Sequence, residues 1–297
     1  MIPLADWIDD FIDYLGAERM LSGHTLSSYR RDLNQLAAYC SAQTLNHWCD
    51  LDTRLLRRYV AQQHSRGLSG SSLARKLSAC RSFYRYLVFK GRLQDNPALA
   101  VKAPSRVKKL PRPLDVAQLG ELLNQPVREP LELRDLAMLE LFYSCGLRLA
   151  ELVSLDLNHL DLRDASLSIT GKGRKVRLLP IGRQAIHALD RWLQAREQLA
   201  DPEQTALFVS RRGTRLGPRA VQLRLKRWGL AYGTPGELHP HQLRHAFASH
   251  LLESSGDLHA VQELLGHAEL ATNQIYTPLD FQHLAEVYDN AHPRAKK

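Results

Sequence analysis

The sequence predicts a mainly α protein of two domains: an N-terminal helical bundle and a C-terminal mixed α/β domain that is mostly helical with a small β-sheet. Three observations predict this class. Apolar residues recur at helical spacing through residues 1–101, a basic segment with prolines occupies residues 102–113, and a hairpin pattern interrupts helical stretches within residues 114–297. A chain of 297 residues is long enough to bury two cores.

The N-terminal residues 1–101 are predicted to be helical throughout. One apolar run steps by three and four positions over residues 26–40, with Ser22 or Thr25 as its cap, and a second covers residues 73–87. The charged residues between these apolar positions are, from this segment alone, best explained by a solvated helix face, while the charge balance gives mild support to a helical clamp on DNA phosphates. They are Arg30, Arg31, Arg75, Lys76, Arg81 and Arg85.

The segment 102–113, KAPSRVKKLPRP, is predicted to be an extended connector between the domains. It holds three prolines and five positive charges with no acidic residue. Proline fixes φ and lacks a backbone donor, so the segment cannot continue a helix. The predicted domains are therefore residues 1–101 and 114–297.

The C-terminal domain is predicted to mix helices with one hairpin. Two short strand-like stretches, residues 165–170 and 176–181, flank a glycine-containing turn with Lys172 at its tip. A further short strand is expected at residues 207–209. Helical patterns cover residues 114–124, 132–144, 147–152, 183–200 and 218–232, and Cys145-Gly146 separates the second of them from the third.

Charge is distributed unevenly along the chain, whose formal net charge is +9. The excess lies in the first two segments, with +4 over residues 1–101 and +5 over the connector, while residues 114–297 are neutral. Within that neutral domain, residues 204–236 contain no acid, which favours a cationic face for a polyanionic partner. The arginines and lysine of this stretch are Arg211, Arg212, Arg215, Arg219, Arg224, Lys226 and Arg227.

Cysteine usage and the N-terminus predict a cytoplasmic protein. The four cysteines form no CxxC pair, so we interpret them as reduced core thiols, with a zinc site disfavoured. The N-terminal residues are acidic, unlike a secretory signal, and no apolar stretch approaches the length of a membrane span. We therefore expect no membrane insertion.

Residues 239–280 contain most of the side chains that could take part in a reaction. His241 and Arg244 are three positions apart, so a helix would present both on one face, where a guanidinium and an imidazole could bind one phosphate. His267 follows the end of another helix, and Tyr276 lies nine residues later. Taken singly, each residue also has an ordinary structural explanation, as do Lys172 in its turn and Arg148 beside Glu151.

The ordered set of motifs is more specific than any member. GLRLAEL, the lysine-tipped hairpin, HPHQLRHAFASHLL, LLGH and the final tyrosine resemble the tyrosine recombinases in order and approximate spacing, over essentially the whole chain. The resemblance implies a SAM-like N-terminal domain that binds core DNA and a C-terminal catalytic domain of the recombinase type. It implies an enzyme that cuts and rejoins DNA without metal, ATP or any other cofactor.

The resemblance also implies a role for each matching residue. Arg148 and Arg244 would hold the scissile phosphate, with Glu151 supporting Arg148. Lys172 would protonate the departing 5′ oxygen, and His241 would exchange a proton with the nucleophile. His267 would bind the phosphate, and Tyr276 would be the nucleophile that forms a 3′-phosphotyrosyl link. The DNA-binding candidates are Arg75, Lys76, Arg81, Arg211, Arg212, Arg215 and Arg219.

The partners implied by the resemblance are double-stranded DNA at a dif-like chromosomal site, a sister recombinase in a heterotetramer, and an FtsK-like DNA translocase as regulator. Residues 281–297 would dock on a neighbouring subunit, although covering the chain's own core explains their apolar pattern equally well. The alternatives are a phage- or transposon-type integrase, a relaxing topoisomerase, and a DNA-binding protein of the same fold without catalysis.

Overall fold

The computed structural model describes residues 4–18, 23–104, 114–171, 176–233, 238–266 and 278–295. The chain divides into two compact units, residues 1–110 and 111–297. Most of the connector expected at residues 102–113 lies outside the described residues, so its extended conformation stays a prediction.

The first unit is helical in its described residues, as the apolar spacing predicts. Its α-helices are α1 (Leu4–Ala17), α2 (Gly23–Ala42), α3 (Thr53–Ser65) and α4 (Gly70–Phe89), with a 3-10 turn at Trp48–Asp50. Helix α1 packs on α2, and α4 packs on α1, α2 and α3.

Local residues explain where the helices of this unit begin. Asp52 and Ser69 accept hydrogen bonds from the backbone N–H groups of Leu55 and Ser72 and cap α3 and α4. Helix α2 already begins at Gly23, so Thr25 lies inside it and is not its cap. Cys49 is exposed because Trp48 takes the inward position in the 3-10 turn; the expectation of a core thiol is wrong there.

The second unit is built around one buried helix. Helix α6 (Pro130–Cys145) is buried from Arg134 to its end, and α8 (Arg183–Arg196) and α10 (Pro240–Ser255) pack against it. The charged residues within this buried stretch are paired, Arg134 with Asp135 and Glu140 with Arg294. The remaining helices are α5 (Val116–Leu123), α7 (Leu149–Val153), α9 (Pro218–Ala231), α11 (Leu258–Leu265) and α12 (Pro278–Ala291).

The predicted hairpin is confirmed. Strands β1 (Leu160–Asp161), β2 (Ser166–Thr170) and β3 (Val176–Pro180) form an antiparallel sheet in that order. Thr170 pairs with Val176, which brackets the turn, and Ile169 pairs with Arg177. The register places Arg177 on the face that Ile169 and Leu167 bury.

The strand expected at residues 207–209 is wrong. Only isolated bridges form in this part of the described chain, between Asp156 and Ala206 and between Val209 and Arg215. The Trp192 indole N–H donates to the Leu207 carbonyl oxygen at 3.0 Å, and Arg134 donates to that of Val209 at 2.9 Å. Side chains satisfy these carbonyl groups in place of a neighbouring strand.

The C-terminal segment packs on its own domain. Leu284, Tyr288 and His292 are buried, and α12 lies against α10, α11 and β3. Arg294 forms an ion pair with the buried Glu140 of α6 and donates to Asn124 Oδ1 at 2.9 Å. The apolar pattern of residues 281–297 therefore covers the chain's own core here, and docking on a neighbour stays a prediction.

Candidate active site

The turn after α6 sets the position of Arg148. Gly146 ends the helix in the left-handed conformation with φ +59°, and a Cβ atom added there would lie 2.4 Å from Cδ1 of Phe247. Only glycine adopts this conformation readily and also has no Cβ atom to overlap the Phe247 ring. The chain then reverses, and Arg148 becomes the N-cap residue of α7.

Arg148 is held by Glu151, as the sequence suggests. Its backbone N–H donates to Oε2 of Glu151 and its Nη1 donates to Oε1, both at 2.8 Å. The carboxylate is buried, whereas the Arg148 side chain is 46% exposed. Burial alone would raise the pKa of Glu151, but the charge of Arg177 and the bonds from Arg148 outweigh it and lower that pKa. The carboxylate is therefore ionised and orients the guanidinium.

Arg244 reaches the same place from α10. Its Nη1 donates to the Gly146 carbonyl oxygen at 2.6 Å and its Nη2 to that of Leu265 at 2.7 Å, while Nη1 lies 4.0 Å from Oε2 of Glu151. Burial and the charge of Arg148 lower the pKa of Arg244 to about 10. The group therefore remains a cation at neutral pH.

Both arginines donate hydrogen bonds to carbonyl groups at the C-terminus of α11. Arg244 donates to the Leu265 carbonyl oxygen, and Arg148 Nη2 donates to that of the next residue, Gly266, at 3.3 Å. Carbonyl groups at a helix end lack partners within the helix and carry partial negative charge, so cations are favoured there. Both guanidinium groups are thereby fixed beside the residue that precedes His267.

A third arginine of this cluster was missed in the sequence. Arg177 on β3 is buried, and its Nη2 donates to Oε2 of Glu151 at 3.1 Å. The hairpin register is the signal that could have found it, because Arg177 pairs with the inward-facing Ile169.

The other predicted catalytic residues divide into two groups. His241 is exposed in the first turn of α10, which begins after the N-cap residue His239 with Pro240 at its first position. Lys172, His267 and Tyr276 lie outside the described residues, so their roles stay predictions.

The DNA-binding candidates of the first unit are partly used within it. The ammonium of Lys76 is buried and bonds to Asp32 and Gln35. Arg81 donates to the carbonyl oxygens of Ala98 and Val101 at 3.1 and 2.6 Å, which holds the end of this unit against α4. Arg75 also pairs with Asp32, but its side chain is 47% exposed.

The candidates of the second unit also differ in their surroundings. Arg215 donates to the carbonyl oxygens of Val153 and Leu155, both at 3.0 Å, and pairs with Asp156. Its charge is used inside the domain. Arg211, Arg212 and Arg219 are exposed and available to a partner.

In the part of the chain that the structure describes, no three histidine, cysteine, aspartate or glutamate side chains are grouped so that they could bind a metal ion. Within the same residues, no helix combines the length and apolar character required to cross a bilayer.

Comparison with known proteins places the chain in a family. Residues 112–283 match the phage integrase family, and residues 8–91 match the phage integrase N-terminal SAM-like domain. A tyrosine recombinase XerC of Pseudomonas aeruginosa is 54% identical over 291 residues, which cover 98% of this chain and 95% of that protein. A tyrosine recombinase XerC of Alcanivorax borkumensis is 52% identical over 293 residues, covering 98% and 94%.

Solved structures agree in fold. The XerH site-specific recombinase bound to its difH substrate matches with a TM-score of 0.70 and 21% identity, covering 96% of each chain. The Tn1549 transposon integrase in complex with transposon right end DNA matches with a TM-score of 0.73 and 16% identity, covering 96% of this chain and 99% of that one.

The chain belongs to the phage integrase family, the tyrosine recombinases, whose members have this SAM-like domain followed by this catalytic domain. Within that family it is an XerC-like site-specific recombinase, a DNA-binding enzyme that cleaves and rejoins DNA. The predicted fold class and reaction are thus confirmed.

Proposed function

We propose that this recombinase cleaves DNA through a 3′-phosphotyrosyl intermediate on Tyr276 and resolves chromosome dimers at a dif-like site. The observation that carries the proposal is the meeting of Arg148 and Arg244 at the C-terminus of α11. That end immediately precedes residues 267–277, which contain His267 and Tyr276.

The two arginines would bind the non-bridging oxygens of the scissile phosphate. A phosphodiester repels nucleophiles, and its transition state spreads charge over the equatorial oxygens. Fixed cations in a partly buried site stabilise that charge more than water does. The exposed fraction of Arg148 leaves room for a ligand, and the carbonyl bonds of Arg244 orient it beforehand.

The remaining roles follow from the bonds that change. The Tyr276 hydroxyl oxygen attacks phosphorus, and its proton passes to His241, whose exposed ring can exchange it with solvent. The bond from phosphorus to the 5′ oxygen breaks, and Lys172 supplies the proton to that oxygen. His267 would hold a non-bridging oxygen beside Arg148 and Arg244.

Rejoining reverses these steps. The 5′-hydroxyl of a second strand attacks the phosphotyrosyl group, and the Tyr276 oxygen leaves with a proton returned by His241. The phosphodiester energy is kept in the covalent intermediate, so the cycle requires no ATP. The arginines, Lys172 and the histidines would supply the positive field for which many nucleases use a metal ion.

The biological context rests on the relatives. Both curated relatives described above are named XerC, which supports a heterotetramer with a XerD-like sister recombinase and regulation by an FtsK-like translocase. The protein would act on chromosomal DNA in the cytoplasm. Exposed Arg75, Arg211, Arg212 and Arg219 are its candidate phosphate contacts outside the active site.

A nicked suicide duplex tests the proposal. The nick allows a short fragment to leave after cleavage, so the covalent complex accumulates. We expect the wild-type chain, with its sister recombinase, to form a protein–DNA adduct on a dif-like duplex, and Tyr276→Phe to form none. An adduct that persists in Tyr276→Phe would overturn the proposal, as would the lack of any adduct with the wild-type chain.

A further inference from the structure

We infer that Arg177 is a positioning residue for strand cleavage, which acts by sharing the Glu151 carboxylate with the two phosphate-binding arginines. The inference deepens the proposed function and rests on it. Arg177 is placed to act through Glu151; it is not assigned a contact with DNA.

Three guanidinium groups are arranged around the Glu151 carboxylate. Oε1 of Glu151 accepts from Arg148 Nη1 at 2.8 Å, while Oε2 accepts from the Arg148 backbone N–H at 2.8 Å and from Arg177 Nη2 at 3.1 Å. Arg244 Nη1 is 4.0 Å from Oε2, beyond hydrogen-bond length. Arg177 therefore fills a position on Oε2 that Arg244 does not take.

This arrangement leaves Arg244 without a hydrogen bond to the carboxylate and therefore able to bind a phosphate. Three guanidinium groups against one carboxylate leave a surplus of two positive charges, which suits a phosphodiester and the charge that develops on it. Without Arg177, the buried Glu151 would attract Arg244 across the 4.0 Å gap. Arg244 would then turn from the orientation that its bonds to Gly146 and Leu265 now fix.

Arg177 also supports the end of α11. Gly266 has φ +64°, and a Cβ atom there would lie 3.1 Å from Cζ and Nη1 of Arg177 and 3.2 Å from its Nε. The guanidinium thus packs against the residue whose carbonyl oxygen accepts from Arg148. One side chain contacts both supports of the phosphate-binding pair.

Stability alone does not explain an arginine at this position. Its side chain is 8% exposed, and among the described residues its buried Nε–H has no hydrogen-bond partner. A buried cation with an unsatisfied donor is costly, and apolar residues of similar volume often replace such groups without loss of stability. A role in positioning the phosphate-binding arginines accounts for an arginine at this position.

The test compares two buried arginines in the full chain. Arg177→Met removes the charge and keeps an unbranched apolar stem at this position. Arg134→Met is the matched control, because Arg134 is equally buried, bonds to Asp135 and Val209, and lies near the opposite end of α6 from Gly146. The probe is the nicked dif-like duplex with the sister recombinase, and the measurements are DNA affinity, melting temperature and single-turnover cleavage at saturating protein.

We expect Arg177→Met to bind DNA within about twofold of wild type but to cleave at least ~30-fold more slowly, a loss made in the transition state. Arg177→Lys should recover part of the rate, roughly threefold or more, because it restores the charge but not the planar fork. Arg134→Met should lower the melting temperature with cleavage by the folded protein within about threefold of wild type.

A double-mutant cycle tests whether Arg177 acts through Glu151. If Arg177 acts through Glu151, adding Arg177→Met to Glu151→Gln should slow cleavage by less than about threefold beyond Glu151→Gln alone. Multiplicative losses would overturn the inference, as would Arg177→Met that cleaves like wild type. If the wild-type chain forms no Tyr276-dependent adduct, the proposed function fails as well; a wild-type adduct with an unimpaired Arg177→Met defeats this inference alone.

Discussion

Arg148 donates a hydrogen bond to the carbonyl oxygen of Gly266 at 3.3 Å and so joins the start of α7 to the end of α11 across 118 positions. The preceding carbonyl, of Leu265, accepts from Arg244. Two successive carbonyl groups at one helix end thus orient both arginines, which we propose bind the scissile phosphate. Preorganised donors need no rearrangement when charge develops, which is the main source of such stabilisation.

The turn that carries Arg148 gives the first prediction. Gly146→Ala should destabilise the protein by about 2–4 kcal/mol, because alanine is strained at positive φ and its Cβ atom would overlap the Phe247 ring. Urea unfolding measures the loss, and the suicide assay should show slower cleavage because Arg148 shifts.

The control for this substitution is Gly256→Ala. Gly256 also ends a helix, α10, with φ +68°, but no atom lies within 4 Å of its added Cβ. Gly256→Ala should lower the free energy of unfolding by the conformational strain alone, about 1–2 kcal/mol. Equal losses at both glycines would mean that the Phe247 contact is unimportant.

The burial of His292 in the C-terminal segment predicts that the stability of the fold depends on pH. His292 is stacked on Tyr288, with ring centroids 4.8 Å apart, and its Nδ1 accepts from the Arg294 backbone N–H at 3.2 Å. Burial lowers the pKa of His292 from 6.5 to about 3. The unfolded chain therefore takes up a proton below pH 6.5 that the folded chain does not.

Stability should accordingly be full above pH 6.5 and fall on acidification, by at most ~1.4 kcal/mol per pH unit from this group. Burial lowers the pKa of His250 as well, so some slope should persist in His292→Gln. Unfolding free energies between pH 7 and 5 test this, with the exposed His259→Gln as control. If unfolding free energy falls with pH as steeply in His292→Gln as in wild type, His292 is not the titrating group.

Part of the site could be predicted from the sequence because the relevant signals are local. Helix α10 begins beside its proline, and Gly266 ends α11 where the sequence expected a helix to stop. Thr170 pairs with Val176 around the lysine turn. Each of these features depends on residues within a few positions, where propensity and spacing operate.

The rest depends on contacts between distant residues. The bond from Arg244 to the Gly146 carbonyl spans 98 positions, and no periodicity reports it. In β3, Val176 and Leu178 alternate as an inward face would, yet both are exposed and Arg177 is buried. The hairpin register places Arg177 on the buried face, opposite Ile169, and Glu151 from another element pairs with its charge there.

Salt dependence tests the proposal that exposed arginines of the second unit contact DNA while others are used inside the domain. Arg211→Gln should reduce the slope of log affinity against log salt by about 1, since each phosphate contact releases roughly one counterion. Arg215→Gln is the matched control, because its side chain is bonded to Val153, Leu155 and Asp156. It should lower stability and leave the slope unchanged. Equal slopes in wild type and Arg211→Gln would remove Arg211 from the DNA surface.

The role of Lys172 predicts rescue by a better leaving group. Lys172→Ala should slow cleavage by roughly 10²–10⁴-fold, the usual contribution of a general acid. Replacing the 5′ bridging oxygen with sulfur should restore at least about tenfold of this, because a thiolate leaves without a proton. Arg148→Ala should gain no such rescue. A Lys172→Ala defect that is the same with both substrates would exclude the lysine as the acid.

In the proposed reaction, the phenol of Tyr276 becomes bonded to the scissile phosphorus and a 5′-hydroxyl is released. Protease digestion of the trapped adduct, with mass spectrometry of the DNA-linked peptide and labelling of the released end, measures both directly. We expect the nucleotide on the peptide that contains Tyr276, joined through its 3′ phosphate, and a 5′ end that a kinase can label. A nucleotide on any other residue, or a released end that already carries the phosphate, would contradict the proposed reaction.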